Sequence, residues 1–311
     1  MYSPRNASRL IAAGRLLLIG CLAVLPALAS ARDGVLVLGR ISDDPGQHYG
    51  QLKPLLDYVV PRMADVGIRE GRILMASDPQ QMQRYMRRGR VDWVTETAAM
   101  AVLLNRRAGA RPILATERSG VGLYHSVVFV RADSDIRSLA DLAGRSLALQ
   151  RSESTSAYYA PVIALLNAGL ALETLLSPSE TPDPGRVGYA FAGSEQNIVA
   201  WVRIGLMQAG AFSNLDWERL GLSGEGAVSP LRVIHRTPAY PRAVELVRAD
   251  MPAVVAERLR QVLLEAAVDP AAAPALEQFF DTTGFREIDS TTEALLASLG
   301  AGVARVKDEL E

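Results

Sequence analysis

Short apolar runs alternate along the chain with longer segments whose apolar residues recur at helical spacing. The apolar runs at 35–39, 73–75 and 91–94 have strand length, whereas the segments at 49–63 and 98–107 carry an amphipathic helical pattern. This alternation predicts an α/β fold whose mainly parallel sheet is flanked by helices on both faces. Further strand-like runs at 146–150 and 208–212 predict a second unit of the same kind, and β runs at 125–130 and 231–235 pass from one unit to the other and back.

The two predicted α/β units share one chain that leaves the first, builds the second and returns. We expect a signal segment at 1–31, the first part of lobe 1 at 32–130, lobe 2 at 131–230, and the returning part of lobe 1 with the C-terminal helices at 231–311. Two crossings of this kind predict a hinge. The cleft between the lobes, at the carboxyl ends of parallel strands, is then the expected ligand site.

The N-terminus has the pattern of a cleaved export signal. Arg5, Arg9 and Arg15 precede or border an apolar run at 16–28, and residues 29–31 have the small-x-small form of a signal-peptidase site. We predict cleavage near Ala31 and a periplasmic product. A competing lipobox-like pattern ends at Cys21, but the sequence after it stays apolar, so lipid anchoring is the less favoured alternative.

Composition excludes several classes of function. The chain has 33 basic and 34 acidic residues, and segment 1–31 contains only basic ones, so the remainder is mildly acidic and is not expected to bind nucleic acid. The single cysteine lies in the same segment, and His48, His125 and His235 lack metal-ligand spacing. We therefore expect no disulfide, no metal, no cofactor and no membrane span in the exported protein.

Three consecutive hydroxyl residues, Ser154, Thr155 and Ser156, lie between a strand-like run and a helical run. Unpaired N–H groups and the positive end of the helix dipole favour an oxyanion at such a turn. Serine and threonine are also the ordinary residues at a helix N-terminus, so the motif alone leaves both interpretations open.

Several blocks, taken in their order and spacing, resemble the periplasmic substrate-binding proteins of phosphonate, phosphite and phosphate ABC transporters. The blocks are residues 125–131, 138–145, 154–161, 192–197 and 233–238, and the resemblance extends from about 35 to 281. It implies a two-lobed binding protein of the type II kind, without catalytic activity, that captures a small oxyanion in the cleft for an ABC importer. Which oxyanion it binds stays open.

The resemblance also implies the residues of the site. The implied ligand-binding residues are Ser154, Thr155, Ser156, Tyr124, Thr95, Glu96, Thr97, Tyr158, Ser194 and Asn214. Several positions depart from the family pattern: Ala157 replaces the usual glycine, Ser194 replaces a histidine that some members carry, and Pro79 or Gln80 occupies the region of another pocket tyrosine. Glu96 either faces the cleft, where it disfavours a simple dianion and favours a ligand with an amine, or points away from it.

Two further hypotheses stand beside delivery to an ABC importer. The same fold can act as a ligand sensor that docks on the periplasmic domain of a histidine kinase, and the genes beside this one would separate sensing from transport. A hydrolase is least favoured because no histidine or lysine base accompanies the three hydroxyls in a recognisable motif. We expect the protein to be a monomer.

Overall fold

Two six-stranded sheets and one two-stranded ribbon organise the chain. The computed structural model describes residues 34–222 and 230–310, which belong to one compact unit. The predicted signal segment and Cys21 lie outside these residues. No helix of the described ranges is long and apolar enough to span a bilayer.

The strands within the described residues are β1 (Val35–Ile41), β2 (Glu70–Ala76), β3 (Trp93–Glu96), β4 (Arg111–Arg118), β5 (Leu123–Tyr124), β6 (Ser126–Arg131), β7 (Ser146–Leu149), β8 (Ala171–Thr174), β9 (Arg186–Phe191), β10 (Ala209–Ser213), β11 (Leu231–Arg236), β12 (Tyr240–Pro241), β13 (Ala243–Val247) and β14 (Thr282–Arg286).

The α-helices of the same ranges are α1 (Pro45–Val59), α2 (Pro79–Arg87), α3 (Ala98–Ala108), α4 (Ala160–Asn167), α5 (Glu195–Arg203), α6 (Asn214–Arg219), α7 (Ala253–Ala266), α8 (Ala273–Gln278) and α9 (Ser290–Leu310). A single π-helical turn, Thr155–Tyr159, precedes α4, and a 3-10 helix, Val60–Val66, continues α1.

The first sheet has the order β14-β4-β13-β3-β1-β2. Strand β1 pairs in parallel with β2 and β3, whereas β13 returns antiparallel between β3 and β4. We call this sheet, with α1–α3, α7 and α8, the first lobe. Trp93 is fully buried in it.

The second sheet has the order β11-β6-β10-β7-β9-β8. Strands β7 to β10 pair in parallel, and β6 is antiparallel to both β10 and β11. With α4–α6 it forms the second lobe. Its core centres on Phe129, Phe212 and Trp217, whose rings contact one another. The predicted two-lobed α/β architecture is confirmed, with sheets that are mixed and rich in parallel pairs.

The chain passes between the sheets at β5 and β12, which pair with each other. The expected boundaries after residue 130 and before residue 231 assign β6 and β11 to the first lobe. Strand pairing instead places both in the second sheet, so the crossings lie before β6 and after β11. A β run does not reveal its sheet from its own apolar pattern, because the pairing partner decides it.

The C-terminal helix α9 packs on both lobes. It contacts α3 of the first lobe, α4 of the second, and β12 in the hinge. Gly302 permits the close approach to α4, since a Cβ at that position would lie 2.6 Å from Cδ1 of Ile163. The helix therefore belongs to the contact between the lobes as well as to the first lobe, where the sequence places it.

Candidate functional site

A cavity of about 430 Å³ lies between the lobes. Its lining comes from segments that follow or end parallel strands β1, β2, β3 and β7, and from the helix starts beside them. The lining residues are Arg40, Ile41, Ser42, Asp43, His48, Ser77, Glu96, Thr97, Met100, Gln150, Arg151, Glu153 and Ser154. The carboxyl ends of parallel strands from both sheets thus meet at one place, as the α/β pattern predicts.

Two helix N-termini face each other in this cleft. The Thr155 hydroxyl of the second lobe accepts a hydrogen bond of 2.9 Å from the backbone N–H of Ala99 in α3. Thr155 is buried, so this bond joins the lobes directly. Its hydroxyl hydrogen is still able to donate.

Ser154 lies beside Thr155 and combines both interpretations of the motif. Its hydroxyl caps the π-helical turn by accepting from the backbone N–H of Ala157 at 3.0 Å, and it also lines the cavity. Ala157 has φ −111°, a value open to any residue, so the missing glycine causes no backbone strain there.

Thr97 occupies the corresponding position in the first lobe. It precedes α3, lines the cavity and makes no side-chain capping bond. Its hydroxyl oxygen is buried and, among the described residues, has no hydrogen-bond partner. A buried hydroxyl without a partner is uncommon in a folded protein, so Thr97 is ready to bond a group that enters the cavity.

Glu96 is one of the residues that line this cavity. Its side chain is 3% exposed, and Oε1 accepts a bond of 3.1 Å from the backbone N–H of Ile41. Its Oε2 lies 3.9 Å from Nη1 of Arg40. The same Arg40 nitrogen donates to the carbonyl of Thr95 at 2.8 Å. The negative charge of Glu96 and the positive charge of Arg40 therefore lie side by side in the lining of the cavity.

Thr95, in contrast, points into the first lobe. Its hydroxyl donates to Glu245 at 2.7 Å and accepts from Arg118 at 3.0 Å. Glu245 is fully buried and also accepts bonds from Trp93 and Thr116, each at 2.7 Å. Burial raises the pKa of Glu245, and these hydrogen bonds oppose the rise. The network fixes the end of β3, where the cavity begins.

The outer part of the cavity is crossed by an ion pair between the lobes. Arg151, after β7, pairs with Asp43, after β1. Both side chains are partly exposed, at 43% and 66%. His48 lies nearby and its Nδ1 is 2.6 Å from the Ser42 hydroxyl; burial and the charge of Arg40 lower its pKa. The pair holds the two lobes together at the mouth of the cleft.

Ser156 and Tyr124 meet near the hinge. The backbone carbonyl of Ser156 accepts a hydrogen bond of 2.7 Å from the Ser126 hydroxyl. The side chain of Ser156 forms a hydrogen bond with Tyr124. Burial raises the pKa of Tyr124, while the charge of Arg242 and the Ser156 bond act against this rise. The Tyr124 ring contacts Tyr240 edge-on, at 4.6 Å between centroids. These two candidates connect the turn to the hinge ribbon.

Three other candidates do not line the cavity. Tyr158 is buried in an aromatic group with Tyr159, Tyr189 and Phe191. Ser194 caps α5 by accepting from the backbone N–H of Asn197 at 3.2 Å. Asn214 accepts from the backbone N–H of His125 at 3.0 Å and so fixes the segment that enters β6.

The sequence did not single out Arg40 or Arg151 as site residues. Both lie at or just after strand ends, where an arginine usually reads as a solvated surface residue. The available signal was position, because Arg40 lies at the carboxyl end of β1 and Arg151 in the loop after β7, and both strands end at the expected cleft. Within the described ranges, no cluster of three His, Cys, Asp or Glu side chains is placed to hold a metal ion.

The family model of the phosphonate ABC transporter periplasmic substrate-binding protein matches residues 41–292. The chain belongs to this phosphonate-binding family. Members of the family are periplasmic substrate-binding components of transporters, and the matched span includes almost every cavity residue, from Ile41 to Ser154.

The chain is also similar to solved structures. XAC2383 from Xanthomonas citri bound to chloride ion is 54% identical, with a TM-score of 0.84, and the match covers 89% of this chain and all of that one. The same protein bound to ATP gives 53% identity over the same shares, with a TM-score of 0.84. PhnD1 from Prochlorococcus marinus in complex with methylphosphonate, at 17% identity, a TM-score of 0.63 and coverage of 88% and 100%, shares the fold.

Proposed function

We propose that this phosphonate-family protein captures a small oxyanion of the phosphonate or phosphate class between its lobes and delivers it to an ABC importer. The observation that carries the proposal is that two hydroxyl residues, Thr97 and Ser154, line the same cavity as two arginines, Arg40 and Arg151. Hydroxyls at two facing helix starts, together with two guanidinium groups, are suited to an anion. The relative bound to chloride and to ATP supports an anionic ligand.

The candidate residues take different roles in this proposal. Ser154 and Thr97 donate hydroxyl hydrogens to the anion, and the backbone N–H groups at the start of the Thr155–Tyr159 turn add to them. Glu96 sets the charge that the cavity accepts. Thr155, Ser156, Tyr124, Thr95, Tyr158, Ser194 and Asn214 position these groups from behind.

Hinge closure is the proposed mechanism. A ligand that bonds both lobes stabilises the closed arrangement relative to the open one, and the membrane partner recognises that arrangement. The short ribbon of β5 and β12 is the natural axis, because it contains both crossings of the chain. We propose further that the protein acts in the periplasm as a monomer, after removal of residues 1–31.

A ligand screen tests the proposal. Thermal unfolding is measured with phosphate, phosphite, methylphosphonate, aminoethylphosphonate, sulfate and arsenate, and any stabilising anion is titrated by calorimetry. A hydrogen bond to a charged group contributes about 1.5–3 kcal/mol, so Ser154→Ala combined with Thr97→Ala should weaken binding at least about tenfold.

Ser179→Ala, an exposed serine in the loop after β8, is the control and should bind as the wild type does. If no oxyanion raises the melting temperature, or if the double variant binds with wild-type affinity, the proposal is wrong.

A further inference from the structure

Three arginine side chains gather where the first sheet meets the hinge. Arg40 is the penultimate residue of β1, Arg118 ends β4, and Arg242 follows β12 directly. The guanidinium carbons of Arg40 and Arg118 each lie 4.5 Å from the ring centroid of Phe280, so they are at most twice that distance apart. That of Arg242 lies 4.9 Å from the ring centroid of Tyr124.

These guanidinium groups have unused hydrogen-bonding capacity. The Nε atom of each of the three is buried and has no partner among the described residues. In the same ranges, Arg118 and Arg242 form no ion pair within 4.0 Å. Arg40 forms one such pair, with Glu96 at 3.9 Å. Buried donors are normally bonded, and the planar guanidinium fork matches an oxyanion.

The local charge is positive. Burial, with repulsion from Arg40 and Arg242, lowers the pKa of Arg118 to about 9, so Arg118 stays protonated at neutral pH. Glu245 and Glu96 offset part of this charge, so the three arginines keep a surplus of one positive charge. The oxygens of Glu245 already accept from Trp93, Thr95 and Thr116. An anion entering here would meet a surplus of cations.

The backbone beside the cluster is strained. Phe280, Asp281 and Ser119 have φ values of 58°, 52° and 52°, and the backbone N–H of Ser119 donates to the carbonyl of Asp281 at 2.7 Å. Left-handed backbone is unfavourable for a residue as bulky as phenylalanine, and such strain collects at functional sites. Here it holds the Phe280 ring against two of the arginines.

We propose that Arg40, Arg118 and Arg242 form a second anion subsite at the base of the cleft, so that the preferred ligand carries two anionic groups, as a diphosphate or diphosphonate does. This inference rests on the proposed function and specifies its ligand class. Arg40 belongs to both parts, since it also lines the cavity that contains Ser154. The cavity volume of about 430 Å³ falls within the range of about 300–1,000 Å³ typical of organic ligands.

Calorimetric titration with inorganic phosphate and pyrophosphate tests the subsite. We expect pyrophosphate to bind at least about tenfold more tightly than phosphate to the wild type. Arg242 is half-buried in the hinge segment, whereas Arg118 is buried in the sheet and its loss endangers folding; Arg242→Gln therefore carries the test. The ratio of the two affinities should fall below about threefold in this variant.

Arg232→Gln is the matched control. Arg232 also has a buried Nε without a partner, but it lies on edge strand β11 and donates to the carbonyls of Ser134 and Ile136. Its affinity ratio should equal that of the wild type. If phosphate binds and pyrophosphate binds no tighter, or if Arg242→Gln weakens both by one factor, the second subsite is refuted. If neither binds, and methylphosphonate does not either, the proposed function itself fails.

Discussion

Removal of the Glu96 charge should strengthen the binding of simple anions. The variant Glu96→Gln keeps an oxygen that can accept from the backbone N–H of Ile41, and it releases Arg40 from its 3.9 Å ion pair. A carboxylate about 6 Å from a bound unit charge repels it by about 3 kcal/mol at an effective dielectric constant of about 20, and by about half of that where water shares the cavity.

This repulsion translates into affinity. Since about 1.4 kcal/mol corresponds to a factor of ten, Glu96→Gln should bind phosphate at least about tenfold more tightly than the wild type. The same change leaves the half-buried guanidinium of Arg40 with less compensation for its charge, so we expect the free energy of unfolding without ligand to fall by about 1–3 kcal/mol. Affinity and stability should therefore move in opposite directions.

Calorimetric titration of phosphate at low and at moderate salt measures the effect, and urea unfolding measures the stability. Glu117→Gln is the control, because Glu117 pairs with Arg286 on the first lobe and does not line the cavity. Unchanged or weaker phosphate binding in Glu96→Gln, with Glu117→Gln equal to the wild type, would refute the electrostatic argument.

Three further outcomes follow from the contacts between and within the lobes. Asp43→Asn removes the exposed pair with Arg151 and should favour the open arrangement by about 0.2–1 kcal/mol, seen as a larger radius of gyration in solution scattering without ligand; an unchanged radius contradicts this. Thr155→Val leaves the buried N–H of Ala99 without an acceptor and should cost about 1–3 kcal/mol in calorimetric unfolding, whereas Thr155→Ser should cost much less; equal losses would show that the bond is unimportant. Burial raises the pKa of Glu245 above 4.5, so the folded protein binds the Glu245 proton more tightly than the unfolded chain does. The stability of the wild type relative to Glu245→Gln should therefore decrease as pH rises from about 4.5 through the raised pKa. A stability difference that does not depend on pH contradicts the assignment.

The sequence predicts most of the elements because their apolar patterns are clear. It misses β13, in which Glu245 interrupts the apolar run, and β14, which contains a glycine and an arginine. A buried carboxylate such as that of Glu245 can be predicted only when its hydrogen-bond donors are known. Its donors, Trp93, Thr95 and Thr116, come from distant parts of the chain. The sequence also does not predict strand β8 and helix α6, because each is too short to show a clear apolar pattern.

The candidate site follows the same division. Ser154, Glu96 and Thr97 can be located from their positions after strands, and all three line one cavity. The ion pair of Arg151 with Asp43 cannot be predicted in this way, because the two residues lie 108 positions apart in the chain and only the fold brings them together. The direction of a side chain at a strand end, as with Thr95 and Glu96, depends on a register that the pattern does not fix.

The position of β13 governs when the first lobe can form. This strand lies in the middle of its sheet, between β3 and β4, although the chain reaches it only after the whole second lobe. Until residue 247 is available, β3 and β4 have no common neighbour and the sheet stays divided. Contacts of such long sequence separation form slowly. A nascent chain therefore keeps its first hundred residues unfinished through most of synthesis, and truncation before β13 should leave the first lobe without a stable sheet.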